Sequence, residues 1–204
     1  MSSDLEMLSA PPTSAGSNGT SRSAIDVADL SDKRDIGNLA HWSLSSFKPG
    51  FGIPQLRSEN SEQYWQSDGP QPHFINIHFP KRVAVNYLSI YTDYKQDESY
   101  TPNKIGIKAG TGFHDLQEVT VVGMNEPTGW THVPLGDFGN MGMLRLHLIQ
   151  VCILGNHQNG KDTHVRNVKV FSPRHDESEA LIAGPGLAVK ILPFMDPSFE
   201  YAVR

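Results

Sequence analysis

Short runs of alternating apolar and polar residues fill most of this chain, and residues that favour turns separate them. Ile75, Ile77 and Phe79 fall on one side of an extended segment, which is the two-residue period of a half-buried β-strand. Pro80 follows and is expected to end that strand, because proline has no backbone N–H for the sheet. The same pattern predicts strands at Ile105 and Ile107, at Val119 and Val121, from Trp130 to Leu135 as an edge strand containing Pro134, and at Val165, Val168 and Val170.

Two longer runs change the side on which their apolar residues fall. In the first run Val85 is followed by Leu88, which predicts either a β-bulge or a change of the sheet that the chain faces. The second run extends from Met143 to Leu154 and shifts its apolar residues from even to odd positions. We interpret this second run as a long strand near the middle of a sheet.

The series of strands predicts an all-β fold. Strands spaced by turn signals, without alternating helices, favour an antiparallel sandwich or jelly roll over an α/β fold. A helix is possible from Gln55 to Tyr64, where Pro54 would lie in its first turn, and a loop is the alternative. No internal repeat is visible in the sequence.

Both ends of the chain depart from the strand pattern. Residues 1–31 contain no aromatic residue and no sustained periodicity, so we expect a disordered segment there. Residues 32–173 carry the strands and form the predicted domain. Residues 174–204 form a predicted tail whose last part is rich in apolar residues, and such a tail must fold back or dock on another surface.

Composition and charge exclude several classes of function. The formal net charge of −5 leaves no basic footprint, so we expect neither nucleic-acid binding nor binding to an anionic membrane. The single cysteine, Cys152, excludes an intrachain disulfide framework and lies in an apolar run, which predicts a buried thiol. The N-terminal residues lack the pattern of a secretory signal, so we expect an intracellular protein.

Polar residues concentrate in three predicted loops, Tyr64–Gly69, Asp93–Pro102 and Gly155–His164. Loops on a rigid sandwich are where binding residues tend to lie. The loops contain the residue types of a catalytic triad and of an acid–base pair, namely Ser67, Ser99, His157, Asp162 and His164, and Asp93, Asp97 and Glu98. No spacing specifies either arrangement, and no zinc-binding pattern is present. We therefore expect no enzyme, no metal and no cofactor.

The loop sequences resemble a known family. The segments Trp42–Gly52, Tyr64–Gly69, Asp97–Pro102 and Asn156–His164 are similar to the DOC domain of the anaphase-promoting complex, and the likeness continues from Asp35 to Pro173. The resemblance implies a jelly roll related to galactose-binding domains. It implies a non-catalytic subunit of a ubiquitin ligase in the nucleus and cytoplasm. It also implies that a co-activator WD40 propeller shares the capture of destruction-box substrates such as cyclins and securin, which raises processivity.

The resemblance also implies where a destruction-box degron binds. We expect the two loops Asp97–Thr101 and Asn156–His164 to form one wall of a shared peptide groove. In this hypothesis amide side chains contact the peptide backbone, carboxylates favour basic degron residues, and Gly160 allows a tight turn. The predicted degron-binding residues are Asp97, Glu98, Ser99, Tyr100, Asn156, His157, Gln158, Asn159, Gly160, Asp162 and His164.

The end of the chain has a separate implied role. The family ends in Ile-Arg, which docks in a tetratricopeptide-repeat (TPR) subunit, whereas this chain ends in Val203 and Arg204. The loss of one methylene from an apolar pocket costs about 1 kcal/mol, so we expect weaker docking. Two alternatives remain open: a carbohydrate-binding module, because this fold often carries sugar sites, and a DOC-like module of another ligase.

Overall fold

Eleven strands and two short helices lie within residues 30–174, which are the residues that the computed structural model describes. The strands are β1 Lys33–Asp35, β2 His41–Leu44, β3 Trp65–Gln66, β4 His73–Val85, β5 Tyr87–Asp93, β6 Pro102–Gly110, β7 Gln117–Gly123, β8 Thr128–Pro134, β9 Leu144–Asn156, β10 His164–Val165 and β11 Asn167–Pro173. The helices are α1 Ile53–Leu56 and α2 Tyr94–Asp97, and 3-10 turns lie at Gly37–Leu39, Glu98–Tyr100, Gly136–Phe138 and His157–Asn159.

The strands form two antiparallel sheets that enclose one apolar core. The four-stranded sheet has the order β1-β11-β5-β8, and the five-stranded sheet has the order β2-β4-β9-β6-β7. A small ribbon of β3 and β10 lies beside them. Alternate residues such as Ile75, Ile77, Leu88 and Ile90 are fully buried in the core. The predicted all-β sandwich of the jelly-roll class is therefore confirmed.

The change of apolar side near Val85 marks the passage of the chain from one sheet to the other. β4 ends at Val85 in the five-stranded sheet, and β5 begins at Tyr87 in the four-stranded sheet. The carbonyl of Asn86, between them, accepts hydrogen bonds from the backbone N–H groups of Leu135 and Gly136 at 2.8 and 3.2 Å. The long run from Met143 to Leu154 was predicted to lie near the middle of a sheet, and β9 is the central strand of its sheet. The predicted edge strand from Trp130 to Leu135 is also confirmed, because β8 lies at the edge of its sheet.

One local prediction needs correction, and one open alternative is decided. Pro80 does not end the strand: β4 continues to Val85, and its register against β9 shifts between His78 and Val83. Such a bulge leaves residues out of the ladder, so that a proline is tolerated within it. From Gln55 to Tyr64 the structure follows the loop alternative, since α1 ends at Leu56.

The directions of the strands define two opposite ends of the sandwich. At the end that we call the loop end, β4 begins, while β5 and β9 finish. At the opposite end, the tail end, β4 finishes, β9 begins and β11 finishes at Pro173. The predicted disordered segment, the predicted tail and its residues Val203 and Arg204 lie outside the described residues, except for residues 30, 31 and 174. No helix in the described part is long and apolar enough to cross a membrane.

Candidate functional site

The two loops that the sequence analysis singled out meet at the loop end. The first loop follows β5 and contains α2 and the turn Glu98–Tyr100, and the second follows β9. The backbone N–H of His157 donates to the carbonyl of Thr101 at 2.9 Å, and the hydroxyl of Thr163 donates to the carbonyl of Tyr100 at 3.2 Å. We call the surface formed by residues 94–101 and 156–164 the rim.

Gly160 lies where the two loops approach most closely. A Cβ atom at this position would lie 1.8 Å from the carbonyl oxygen of Ser99, so that any side chain would push the loops apart. Its backbone φ of −57° is accessible to every residue. The chain does turn at Gly160, whose N–H donates to the carbonyl of His157 at 3.0 Å, but close packing rather than this turn requires the glycine.

Three residues other than glycine adopt left-handed backbone conformations on the rim. They are Glu98, Gln158 and Asn159, with φ values of 44°, 51° and 56°. Such conformations cost free energy and persist only where the surroundings hold them, and they cluster at ligand-binding loops. All three side chains are exposed to solvent. The loops are thus held in a conformation that directs these polar side chains outward.

A column of four rings supports the rim from below. Phe51 stacks on Tyr64 with 5.2 Å between ring centroids, Tyr64 on His164 at 4.1 Å, and His164 on Tyr100 at 4.3 Å. Tyr100 ends the column and is 39% exposed, whereas His164 is buried. Aromatic pairs usually have ring centroids 4.5–7 Å apart, so the two contacts of His164 are tight and that of Phe51 is ordinary. The column fixes the plane of the Tyr100 ring.

A buried ionic cluster holds this column in place. The carboxylate of Asp97 accepts hydrogen bonds from Nε and Nη2 of Arg166 at 3.0 and 2.8 Å and from Nδ1 of His164 at 3.0 Å. Nη1 of Arg166 also donates to the carbonyl of Ser61 at 2.6 Å. Burial alone would raise the pKa of Asp97, but the hydrogen bonds from His164 and Arg166 outweigh burial and lower it. Asp97 is therefore ionised and fully engaged.

The cluster changes the roles of two predicted binding residues. Asp97 and His164 are 6% and 7% exposed, and Asp97 already carries the guanidinium of Arg166 as its partner. Their side chains lie below the exposed residues and support them, and a direct contact of either with a degron stays a prediction. Arg166 was missed, because nothing in the sequence links it to Asp97.

Asn156 also supports the rim from inside. Its Nδ2 donates to the carbonyls of Asp162 at 2.8 Å and of Gly160 at 3.2 Å, and its side chain is buried. The side-chain amide hydrogens of Asn156, which were predicted to contact a peptide, thus form hydrogen bonds within the loop. Asp162 is half-buried, and one of its carboxylate oxygens lies 3.5 Å from the hydroxyl of Ser67.

The residues that a ligand can reach form a smaller set. Gln158 donates from Nε2 to the hydroxyl of Tyr94 at 3.3 Å, and His157 packs edge-on against the same ring at 4.7 Å. His157 and Ser99 are half-buried. The exposed members of the predicted set are Glu98, Tyr100, Gln158 and Asn159.

The residue types of a catalytic triad occur near the rim in a different combination. Ser67 lies 3.2 Å from Nε2 of His73, but this nitrogen is also 2.7 Å from the carbonyl of Lys161 and so donates its hydrogen there. It is then unable to take the proton of Ser67, which is fully buried and accepts from the backbone N–H of Thr163 at 2.9 Å. This cluster is a structural brace. Within residues 30–174, no group of three His, Cys, Asp or Glu side chains is placed to hold a metal ion.

Comparison with known proteins gives the family. The family model described as anaphase-promoting complex, subunit 10, matches residues 9–191. The chain belongs to this subunit family. It is 53% identical over 165 residues to anaphase-promoting complex subunit 10 of Schizosaccharomyces pombe, covering 81% of this chain and 84% of the relative. It is 53% identical over 145 residues to the Homo sapiens subunit, covering 71% and 78%, and 31% identical over 153 residues to subunit DOC1 of Saccharomyces cerevisiae, covering 74% and 61%.

Solved structures with the same fold are more distant in sequence. The family 32 CBM from C. perfringens NanJ, in complex with galactose, is 12% identical with a TM-score of 0.57, covering 69% of this chain and 99% of that chain. A second, CpGH89CBM32-5 from Clostridium perfringens in complex with GalNAc-β-1,3-galactose, is 8% identical with a TM-score of 0.56, covering 67% and 97%. At such identities the likeness shows the fold alone.

Proposed function

We propose that this chain is a non-catalytic substrate receptor of the anaphase-promoting complex and that its rim holds part of a destruction-box degron. Membership of the subunit family and the geometry of the rim support this proposal. The degron lies in a groove whose other wall is a co-activator propeller. The expected locations, nucleus and cytoplasm, follow from this role.

The exposed rim residues match the chemistry of a short extended peptide. The amides of Gln158 and Asn159 offer donors and acceptors to a peptide backbone, which carries one of each per residue. The ring of Tyr100, held by His164, offers a flat surface for a guanidinium, and the exposed carboxylate of Glu98 adds a charge for it. The single observation that carries the proposal is this preformed exposed set on a buried support, in which Asp97 is paired with Arg166 and His164.

A few such contacts suit a receptor that has to release its substrate. Exposed hydrogen bonds and a cation–π contact contribute about 0.5–1.5 kcal/mol each. One wall alone therefore binds weakly, and useful affinity arises when the propeller holds another part of the same peptide. This arrangement lengthens the residence time of the substrate on the complex and so raises the number of ubiquitins added per encounter. It needs no catalytic group in this chain.

The chain end has its own proposed role in assembly. Val203 and Arg204 dock in a TPR subunit, where Val203 offers an apolar side chain and Arg204 a guanidinium. Both residues lie outside the described part, so the support is the sequence alone. Deletion of these two residues should lower the recovery of the TPR subunit with the tagged chain, and unchanged recovery would exclude this contact.

The receptor role is tested by removing the exposed rim side chains together. The variant Glu98→Ala/Tyr100→Ala/Gln158→Ala/Asn159→Ala should add fewer ubiquitins per binding event to a destruction-box substrate, with dissociation about tenfold faster if roughly 1–2 kcal/mol of contacts is lost. The matched control replaces one aromatic residue, one carboxylate and two amides that are exposed elsewhere, namely Phe113, Glu118, Gln117 and Asn125. Equal processivity of both variants in reconstituted complexes would refute the proposal.

A further inference from the structure

Three neighbouring strands of the five-stranded sheet carry no carboxylate. β2, β4 and β9 together contain no aspartate or glutamate, although the whole chain contains 22 of these residues. The same strands contain Lys81, Arg82 and Arg145. A chain with a formal net charge of −5 thus has one locally positive region.

Alternation along the strands places Arg82 and Arg145 on the outer face of the sheet, and Lys81 lies exposed in the register shift of β4 beside them. Val83 and Leu146 are register partners and pack against the core, so the residues on either side of them project outward. Arg145 is the register partner of Ala84, which also lies on the outer side. We call the resulting outward set the basic face; it consists of His41, His78, Lys81, Arg82, Arg145 and His147.

Within residues 30–174, the lysine and arginine side chains of the basic face have no charged partner. Lys81, Arg82 and Arg145 are exposed, and none of them forms an ion pair or side-chain hydrogen bond with another residue of the described part. Two lysines elsewhere do have carboxylate partners, Lys33 with Asp32 and Lys169 with Glu59. Unpaired charges on one face favour association with a surface of opposite charge.

Exposed apolar side chains flank the basic face at the beginning of its strands. Leu39 precedes β2 and is 55% exposed, while Phe138 and Met141 precede β9 and are 50% and 63% exposed. Apolar surface that is bordered by polar residues marks protein–protein contacts, whereas single exposed apolar side chains do not. The partner that fits both features has carboxylates interspersed with apolar side chains.

We propose that the basic face docks this chain on an acidic, partly apolar segment of another subunit of the complex. The proposal rests on family membership and does not require the rim to bind degrons. The basic face lies toward the tail end, away from the rim, so both surfaces can be occupied at once. A protein fits better than nucleic acid, because three cations neutralise few phosphates and Leu39, Phe138 and Met141 have no counterpart on a phosphate backbone.

Zero-length crosslinking tests the occupant of this face. The complex is purified through the tagged full-length chain and treated with a carbodiimide, which joins lysine amines to carboxylates in direct contact. We expect Lys81 to be joined to an aspartate or glutamate of another subunit. The proposal is overturned if Lys81 is joined to residues 175–204 of its own chain, which carry five carboxylates and follow Arg174 at the same end. It is also overturned if Lys81 stays unreacted while other lysines of the chain react.

Charge reversal tests whether the face contributes to assembly. Lys81→Glu/Arg82→Glu/Arg145→Glu should compete about tenfold less well than the unchanged chain for incorporation into the complex at 150 mM salt. The control reverses three other exposed cations, Arg34, Lys48 and Lys104, and should compete normally. If both variants compete equally, or if a 20-nucleotide RNA binds the unchanged chain but not the first variant, the proposal is wrong. Arg145→Gln alone should show about a threefold effect and serves if the triple variant does not fold.

Discussion

Removal of the Asp97 carboxylate tests how much the buried ionic cluster below the rim contributes to the stability of the fold. In Asp97→Asn the neutral amide replaces a group that accepts three hydrogen bonds, two of them from the guanidinium of Arg166. Arg166 is 3% exposed and would remain buried without its counter-charge. Loss of one partner from a buried ion pair costs about 3–5 kcal/mol. The contacts of Arg166 with Ser61 and the ring of Tyr64 persist, so we expect about 3 kcal/mol.

Urea unfolding measures this loss directly. With a denaturant dependence of about 2 kcal/mol per molar urea, a loss of about 3 kcal/mol lowers the midpoint by about 1.5 M. The control Asp68→Asn changes an exposed carboxylate and should shift the free energy of unfolding by less than about 0.5 kcal/mol. If the free energies of unfolding of the two variants agree within about 0.5 kcal/mol, Asp97 is not the support that its contacts indicate.

Two further predictions concern pH and packing. Since the pKa of Asp97 in the folded chain lies below its usual 3.8, ionised Asp97 stabilises the fold above pH 3.8, and this stabilisation is lost as pH falls through the folded pKa. In Asp97→Asn the free energy of unfolding should therefore depend less on pH in this acidic range. An unchanged pH dependence would contradict the role of Asp97 in the buried ionic cluster. Gly160→Ala should destabilise the chain by about 1–3 kcal/mol, because its Cβ would collide with the Ser99 carbonyl. Gly123→Ala, with open space around it, is the matched control, and equal midpoints for the two alanine variants would contradict the close approach.

The sequence predicts the framework of this fold because apolar periodicity reports directly which side of a strand is buried. The change of side between Val85 and Leu88 predicts a β-bulge or a passage between sheets, of which the structure has the passage, and the long run that ends at Leu154 predicts the central strand. The prediction that Pro80 ends its strand was wrong, because a β-bulge removes the need for the hydrogen bond that proline lacks. Local patterns cannot show such a register shift.

The site was predicted only in part, because the sequence does not show which polar loop residues are buried. Polar residues in a loop suggest exposure, but Asp97 and Asn156 are buried, and their partners are set by the tertiary fold. Arg166 follows a different strand from Asp97, and the ring column joins Tyr64 to Tyr100 across two loops. The resemblance located the correct loops, whereas the division into exposed contacts and buried supports required the structure.

A photo-crosslink from the rim tests the central claim most directly. A photoreactive phenylalanine analogue at Gln158 of the rim, in the complete complex with its co-activator, is illuminated in the presence of a labelled destruction-box peptide. The account predicts a crosslink to the peptide, lost when an unlabelled peptide competes, and none from the same analogue at Gln117 in β7. Crosslinks of equal yield from both positions, or from neither while the peptide is bound to the complex, would show that the rim is not where the degron is held.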